Sequence, residues 1–148
     1  MDDKQTLYTE IKPEMQAITS RLFDLSKNFL QTQGDFLPHA AVLTAEFKLE
    51  LVGAQGENEL TTAAEILPLL HGGLRGVAKQ KALSAIGIAE SVIVTRPGQS
   101  SSKAIKVLLE HRRGLTVAFY MPYQKKLLRG YVYEPVFSIL AEPEVNAW

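Results

Sequence analysis

Cysteine is absent from the 148-residue sequence, and no uninterrupted apolar run approaches the roughly 18 residues that a membrane-spanning helix needs. The absence of cysteine excludes disulfide bonds, thiolate metal ligands and a cysteine nucleophile, and it fits a reducing compartment. The first residues, MDDKQTLYTEIK, are acidic and polar, whereas a secretory signal starts basic and continues apolar. We therefore expect a cytoplasmic protein without a membrane partner.

Net charge is also lacking, because the chain carries 16 basic and 16 acidic residues. The two signs are unevenly distributed: residues 1–74 have six negative charges in excess, and residues 75–148 have six positive charges in excess. This asymmetry indicates either an anionic partner for the second half or mutual neutralisation of the halves within one domain, which we favour. With 46% hydrophobic and 22% charged residues, the composition predicts a single globular domain spanning residues 1–148.

The first apolar pattern in the chain is helical. Seven apolar residues recur at alternating spacings of three and four: Tyr8, Ile11, Met15, Ile18, Leu22, Leu25 and Phe29. Because proline disrupts a helix interior, Pro13 predicts a helix over residues 13–33, with residues 3–12 forming a separate turn or a kinked extension. Gly34 suits the position just after the helix.

A second helix is predicted after the capping box formed by Thr62 and Glu65. Three glycines and Pro68 lower its helix propensity, so the helix depends on packing or is broken near His71. Strand patterns surround it: a hairpin within residues 39–52, and further strands after residue 85. The predicted fold class is α+β, with an N-terminal helix, a β-hairpin, a second helix and a mainly antiparallel β-meander, forming one sheet covered on one face by helices.

The segment LLEHRRGLTVAFY, residues 108–120, places a polar cluster between two alternating apolar runs. Residues 111–114 have the length and the terminal glycine of a hairpin loop, so we interpret them first as a turn and second as a basic contact point. The candidate binding surface includes this turn and the far end of the next strand, which places its basic residues at two ends. It consists of His111, Arg112, Arg113, Tyr123, Lys125, Lys126 and Arg129.

Seven of the twelve aromatic residues lie in the last 30 positions, interleaved with basic residues. Such a mixture is typical of single-stranded nucleic-acid platforms and also of protein interfaces. We favour a protein partner, because the isoelectric point of about 6.8 is below that of dedicated nucleic-acid binders.

The segments AIKVLLEHRRGLTVAFYMPY and GDFLPHAAVL resemble a pattern found in small, uncharacterised bacterial α+β domains. That pattern has an L-E-H-x-x-G hairpin followed by P-Y. The resemblance implies a bacterial source and an α+β fold, and it carries no activity and no functional residue to this chain.

No catalytic, metal or cofactor motif is present. His39, His71 and His111 are far apart in the sequence and lack metal-ligand spacing, so we predict no metal and no cofactor. An enzyme domain for a small molecule or an anion remains an alternative, and it would place His111 or His39 in a pocket beside Glu110 or Glu46. A nucleic-acid binder that uses the basic, aromatic C-terminal half is the other alternative.

The preferred hypothesis is a non-enzymatic interaction or regulatory module that self-associates. Pro135 interrupts the apolar segment YVYEPVFSIL, which favours an edge strand or a strand break. An edge needs cover, and the nearby aromatic and basic residues with Trp148 would form a two-fold contact. We therefore expect a homodimer that is weakened by removal of residues 143–148.

Overall fold

The computed structural model describes residues 3–53 and 62–148. In chain order its elements are α1 (Asp3–Gln33), β1 (His39–Thr44), β2 (Leu49–Val52), α2 (Ala63–Gln80), β3 (Leu83–Val94), β4 (Ser102–His111), β5 (Thr116–Lys126), β6 (Gly130–Tyr133) and β7 (Phe137–Leu140). These two helices and one sheet confirm the predicted α+β class. Within the described ranges, neither helix is long and apolar enough to cross a bilayer.

The seven strands form one sheet in which every pair is antiparallel. The strand order is β2-β1-β3-β4-β5-β6, and β7 also pairs with β5. Strand β5 is long enough to pair with β7 over residues 117–120 and with β6 over residues 123–126. The short strands β6 and β7 therefore share one edge of the sheet, separated by a segment that contains Pro135, which confirms the predicted edge and break.

Helix α1 covers one face of the sheet. Its buried residues include Ile11, Met15, Ile18 and Leu22, which belong to the same apolar cluster as Ile105 on β4. The helix is continuous through Pro13, so residues 3–12 extend the helix and the alternative of a separate turn is wrong. Because buried Ile11 and Met15 lie on either side of the proline, packing on the sheet compensates the missing backbone hydrogen bond.

Close contact between α1 and the sheet depends on Gly87 in the middle of β3. A Cβ atom added at this position would lie 2.4 Å from Cγ2 of Ile18 and 3.0 Å from Cδ1 of Leu22. Such distances are far below van der Waals contact, so a side chain here would push the helix off the sheet.

Helix α2 lies on the opposite face, so the expectation that both helices cover one face is wrong. Neighbouring residues of β1 show the division: Ala41 packs with the α1 cluster, whereas Val42 packs with Ile66, Leu70 and Leu74 of α2. A strand that is buried on both faces of the sheet is apolar at nearly every position, and the sequence of β1, HAAVLT, fits this pattern.

The start of α2 is as predicted, since the Oγ1 atom of Thr62 accepts a hydrogen bond from the backbone N–H of Glu65 at 3.3 Å. The helix is not broken near His71. Its glycines at 72, 73 and 76 have open space where a Cβ would be, so they weaken helix propensity without disturbing the buried side of the helix.

Candidate functional site

The connection between β4 and β5 is a tight turn, as the sequence predicts. Gly114 has a φ of +94°, and its N–H donates to the carbonyl of His111 at 2.9 Å. The N–H of His111 donates to the Leu115 carbonyl at 2.8 Å, and the N–H of Arg112 donates to the Ser84 carbonyl at 2.9 Å. Backbone hydrogen bonds therefore stabilise the turn internally and also attach it to the start of β3.

The side chain of His111 is buried on the α1 side of the sheet. Its Nδ1 accepts a hydrogen bond from the backbone N–H of Arg113 at 3.1 Å, so in the neutral ring the proton is on Nε2. Nε2 donates it to the carboxylate of Glu14 on α1. One turn earlier on the helix, Glu10 pairs with the Arg113 guanidinium at 2.8 Å. His111 and Arg113 thus anchor the turn to α1, whereas the side chain of Arg112 is exposed.

Glu110, the preceding residue, is buried on the opposite face. Its carboxylate accepts three backbone hydrogen bonds from the C-terminal segment: from Glu144 at 2.9 Å, Val145 at 2.8 Å and Asn146 at 3.0 Å. Adjacent residues of a strand project to opposite faces, so Glu110 and His111 do not face each other as an acid–base pair. The carboxylate instead holds the end of the chain.

The C-terminal segment is part of the fold. Val145 is fully buried in the α2 cluster, and its carbonyl accepts a hydrogen bond from Nη1 of Arg75 at 3.0 Å. Nε2 of His71 lies 3.7 Å from the carboxylate of Glu144. From the sequence, this segment was expected to contribute to a homodimer contact. The clue to its structural role was a carboxylate, Glu110, in an otherwise apolar strand end, since a buried charge needs hydrogen-bond donors.

His39 also serves the interior of the protein. Its ring contacts Phe29 and Phe36 edge to face, and its Nε2 lies 3.1 Å from Oγ of Ser26. Burial lowers the pKa of His39, because desolvation disfavours the charged imidazolium. Glu46 lies in the turn after β1 while His39 begins that strand, so the structure does not bring these two residues together.

The remaining candidate residues lie at the other end of β5. Tyr123 is buried, and its hydroxyl lies 3.2 Å from Oγ of Ser91. Nζ of Lys125 is 5.8 Å from the ring centroid of Tyr131, and Lys126 and Arg129 flank the hairpin turn to β6. An eleven-residue strand spans about 35 Å, so the candidate surface is divided between two distant ends.

Strand β7 is an exposed edge strand, in which three of the four residues are exposed. Ala141 N–H donates to the Thr116 carbonyl, so alternate residues face β5 and the backbone groups of Ser138 and Leu140 point outward. Three apolar side chains along this edge are about half exposed: Val136 at 42%, Ile139 at 53% and Leu140 at 57%. Pro135 indicates the edge in the sequence, but no sequence signal identifies these exposed residues.

Within residues 3–53 and 62–148, no group of three or more His, Cys, Asp or Glu side chains is arranged to hold a metal ion. Comparison with protein-family models, with curated proteins and with solved structures found no match for this chain. Function is therefore inferred from the surfaces of the molecule itself.

Proposed function

We propose that this chain is a non-enzymatic interaction module of the bacterial cytoplasm, and that it forms a homodimer through the β7 edge. The observation that carries the proposal is the combination of outward backbone groups and half-exposed apolar side chains on β7. An edge of this kind is a template for another strand, and soluble proteins usually cover or charge it. The sequence of β7, FSIL, contains no charged residue that would deter such pairing.

Antiparallel pairing of two β7 strands fits a two-fold axis, because the same residues then meet on both subunits. The outward N–H and C=O groups of Ser138 and Leu140 would form the new ladder. Ile139 and Leu140 would bury their exposed area against their counterparts. Trp148, which is 51% exposed, lines the same cavity as Leu140 and would extend the contact.

The alternatives have less support from the geometry. Glu110 and His111 are engaged by the C-terminal segment and by α1, and His39 is packed between aromatic rings. A nucleic-acid platform needs exposed rings on which bases stack, whereas Tyr123 is buried and in contact with Tyr131.

Substitution of Ser138 by proline tests the proposal. The Ser138 N–H points away from β5, so Ser138→Pro removes a donor needed only by a partner strand and leaves the internal ladder intact. Sedimentation of the natural chain, at a concentration on the order of tens of micromolar, should give twice the monomer mass of 16.4 kDa, and Ser138→Pro should give the monomer.

The matched control is Leu51→Pro on β2, the opposite edge of the sheet. Thr44 N–H donates to the Lys48 carbonyl, and the same alternation turns the N–H of Leu51 outward. This variant should remain a dimer. A monomeric natural chain at the stated concentration, or dimers in both proline variants, would refute the β7 contact.

A further inference from the structure

The hairpin tip between β5 and β6, residues 125–130 with the sequence KKLLRG, presents two leucines to solvent. Leu127 is 92% exposed and Leu128 is 98% exposed, the highest values among the large hydrophobic residues of the described chain. Neither side chain contributes apolar burial to this fold. Their presence at the tip therefore needs a reason other than folding.

The backbone at the tip strengthens this conclusion. Leu128 has a φ of +69°, a left-handed conformation that favours glycine or asparagine and is unfavourable for leucine. Leucine in this conformation destabilises the folded protein relative to glycine, and an exposed leucine gains no packing in return. Local rules of this kind are broken most often at functional positions.

The charged residues around the leucines are cationic. Lys125, Lys126 and Arg129 flank them, and the sequence has no acidic residue between Glu110 and Glu134. Lys103 on β4 joins Lys125 at a recess that also contains Ser101 and Ser102. None of the ion pairs formed by the described residues involves these four cations.

We propose that the KKLLRG tip docks on an anionic phospholipid bilayer, with Leu127 and Leu128 in the interfacial region and the cations at the lipid phosphates. Apolar side chains ringed by lysine and arginine are the composition of peripheral membrane contacts. Protein interfaces, in contrast, are depleted in lysine, and leucine is uncommon among their energetically dominant residues. A nucleic acid would satisfy the cations and leave the leucines in water.

This contact is peripheral and independent of the proposed dimer. The expectation of no membrane partner rests on the absence of a spanning segment, which does not bear on peripheral contact through a hairpin tip. A tip of two leucines and three adjacent cations gives reversible binding, because each group near the membrane surface contributes only a small part of the binding free energy.

Vesicle sedimentation with the full chain tests the proposal. The protein should sediment with vesicles of phosphatidylcholine and phosphatidylglycerol in equal parts, should not sediment with phosphatidylcholine alone, and should dissociate as salt increases. The double variant Leu127→Ser with Leu128→Ser should lower binding by about tenfold or more. The triple variant Lys125→Gln, Lys126→Gln and Arg129→Gln should lower it by about a hundredfold.

Two controls match these variants elsewhere on the molecule. Ile93→Ser changes another exposed apolar residue, one that is 73% exposed, and Arg112→Gln with Arg113→Gln changes two cations at the opposite end of β5. Both control proteins should bind the anionic vesicles nearly as well as the natural chain.

Three results would overturn the proposal. The first is recovery of the natural chain in the supernatant with anionic vesicles at low salt. The second is a double serine variant that binds as tightly as the natural chain, which would indicate adsorption by charge alone. The third is a lower sedimented mass of the tip variants without vesicles, which would identify the tip as a protein contact.

Discussion

The two ends of the β4–β5 hairpin carry similar basic residues but use them differently. At the turn, His111 and Arg113 are bound to α1 through Glu14 and Glu10. At the far end, Lys125 and Lys126 have no acidic partner among the described ion pairs. The polar cluster that most resembles a site in the sequence is thus part of the scaffold, and the open surfaces lie elsewhere.

This difference shows what determines availability for binding. A polar side chain whose hydrogen bonds the fold already satisfies has no donor or acceptor left for a ligand, whatever its chemistry. The backbone groups on β7 point outward and the leucines at the tip are exposed, although neither forms a recognisable sequence motif. We call the turn end, residues 110–114, the closed end, and the tip at residues 125–130 the open end. Four substitutions test whether the closed end is structural and whether the open end is dispensable for folding.

The largest effect is expected for Glu110→Ala. Removal of the buried carboxylate leaves three backbone donors of residues 144–146 without an acceptor; the bond from Val145 is buried and the other two are partly buried. An unsatisfied buried donor costs about 1–3 kcal/mol. The free energy of unfolding in urea should fall by about 3 kcal/mol or more. Glu142→Ala, at an exposed position nearby, should change it by less than about 0.5 kcal/mol. Equal small losses in both variants would mean that Glu110 does not hold the C-terminal segment.

Gly114→Val should have the next largest effect. The φ of +94° is strained for any residue with a β-carbon and most strongly for a β-branched one, so we expect a loss of about 1–3 kcal/mol. Gly72→Val in α2, where φ is not positive, provides a comparison whose smaller effect reflects helix propensity alone. A Gly114→Val protein as stable as the natural chain would show that the turn adopts another conformation.

At the open end, replacement of a leucine by glycine should stabilise the protein. Leu128→Gly relieves left-handed strain of about 1–2 kcal/mol, and the greater flexibility of the unfolded chain offsets part of this gain. The free energy of unfolding should rise by up to about 1 kcal/mol in the same urea titration. A fall of similar size would mean that Leu128 packs in the folded protein.

The smallest effect is expected for Arg113→Ala. Its ion pair with Glu10 joins side chains that are each 51% exposed, and such pairs contribute about 0–1 kcal/mol. The free energy of unfolding should change by about 0.5 kcal/mol, and the change should shrink at high salt. A loss above about 2 kcal/mol would show that the arginine is a structural partner of the turn in its own right.

Much of the fold follows from local patterns in the sequence. Alternation in β4 and β5 and the glycine at 114 define the hairpin, and Thr62 with Glu65 marks the start of α2. The sequence placed the start of α1 at Pro13, because helix propensity is a property of neighbouring residues. The packing on the sheet that extends the helix to residue 3 depends on residues far away in the chain. The opposite placement of α2 was missed for the same reason, although the largely apolar run of β1 indicated burial on both faces.

The candidate site was harder to predict than the fold. Glu110 and Val145 are 35 positions apart, and no periodicity connects a strand end with a C-terminal segment. The division of the candidate residues between two ends was expected from strand pairing, yet pairing alone does not show which end is closed by the rest of the chain. The exposed fractions of Leu140, Leu127 and Leu128 depend on the completed tertiary structure.

Residue-resolved hydrogen exchange of β7 tests the central claim that the open edge is the self-association surface. The measurement compares amide protection well below and well above the dissociation constant of the dimer. The N–H groups of Ser138 and Leu140 should become protected only at the higher concentration, while the N–H of Ile139, which faces β5, should be protected at both. Protection of Ser138 and Leu140 that does not depend on concentration would contradict self-association through β7.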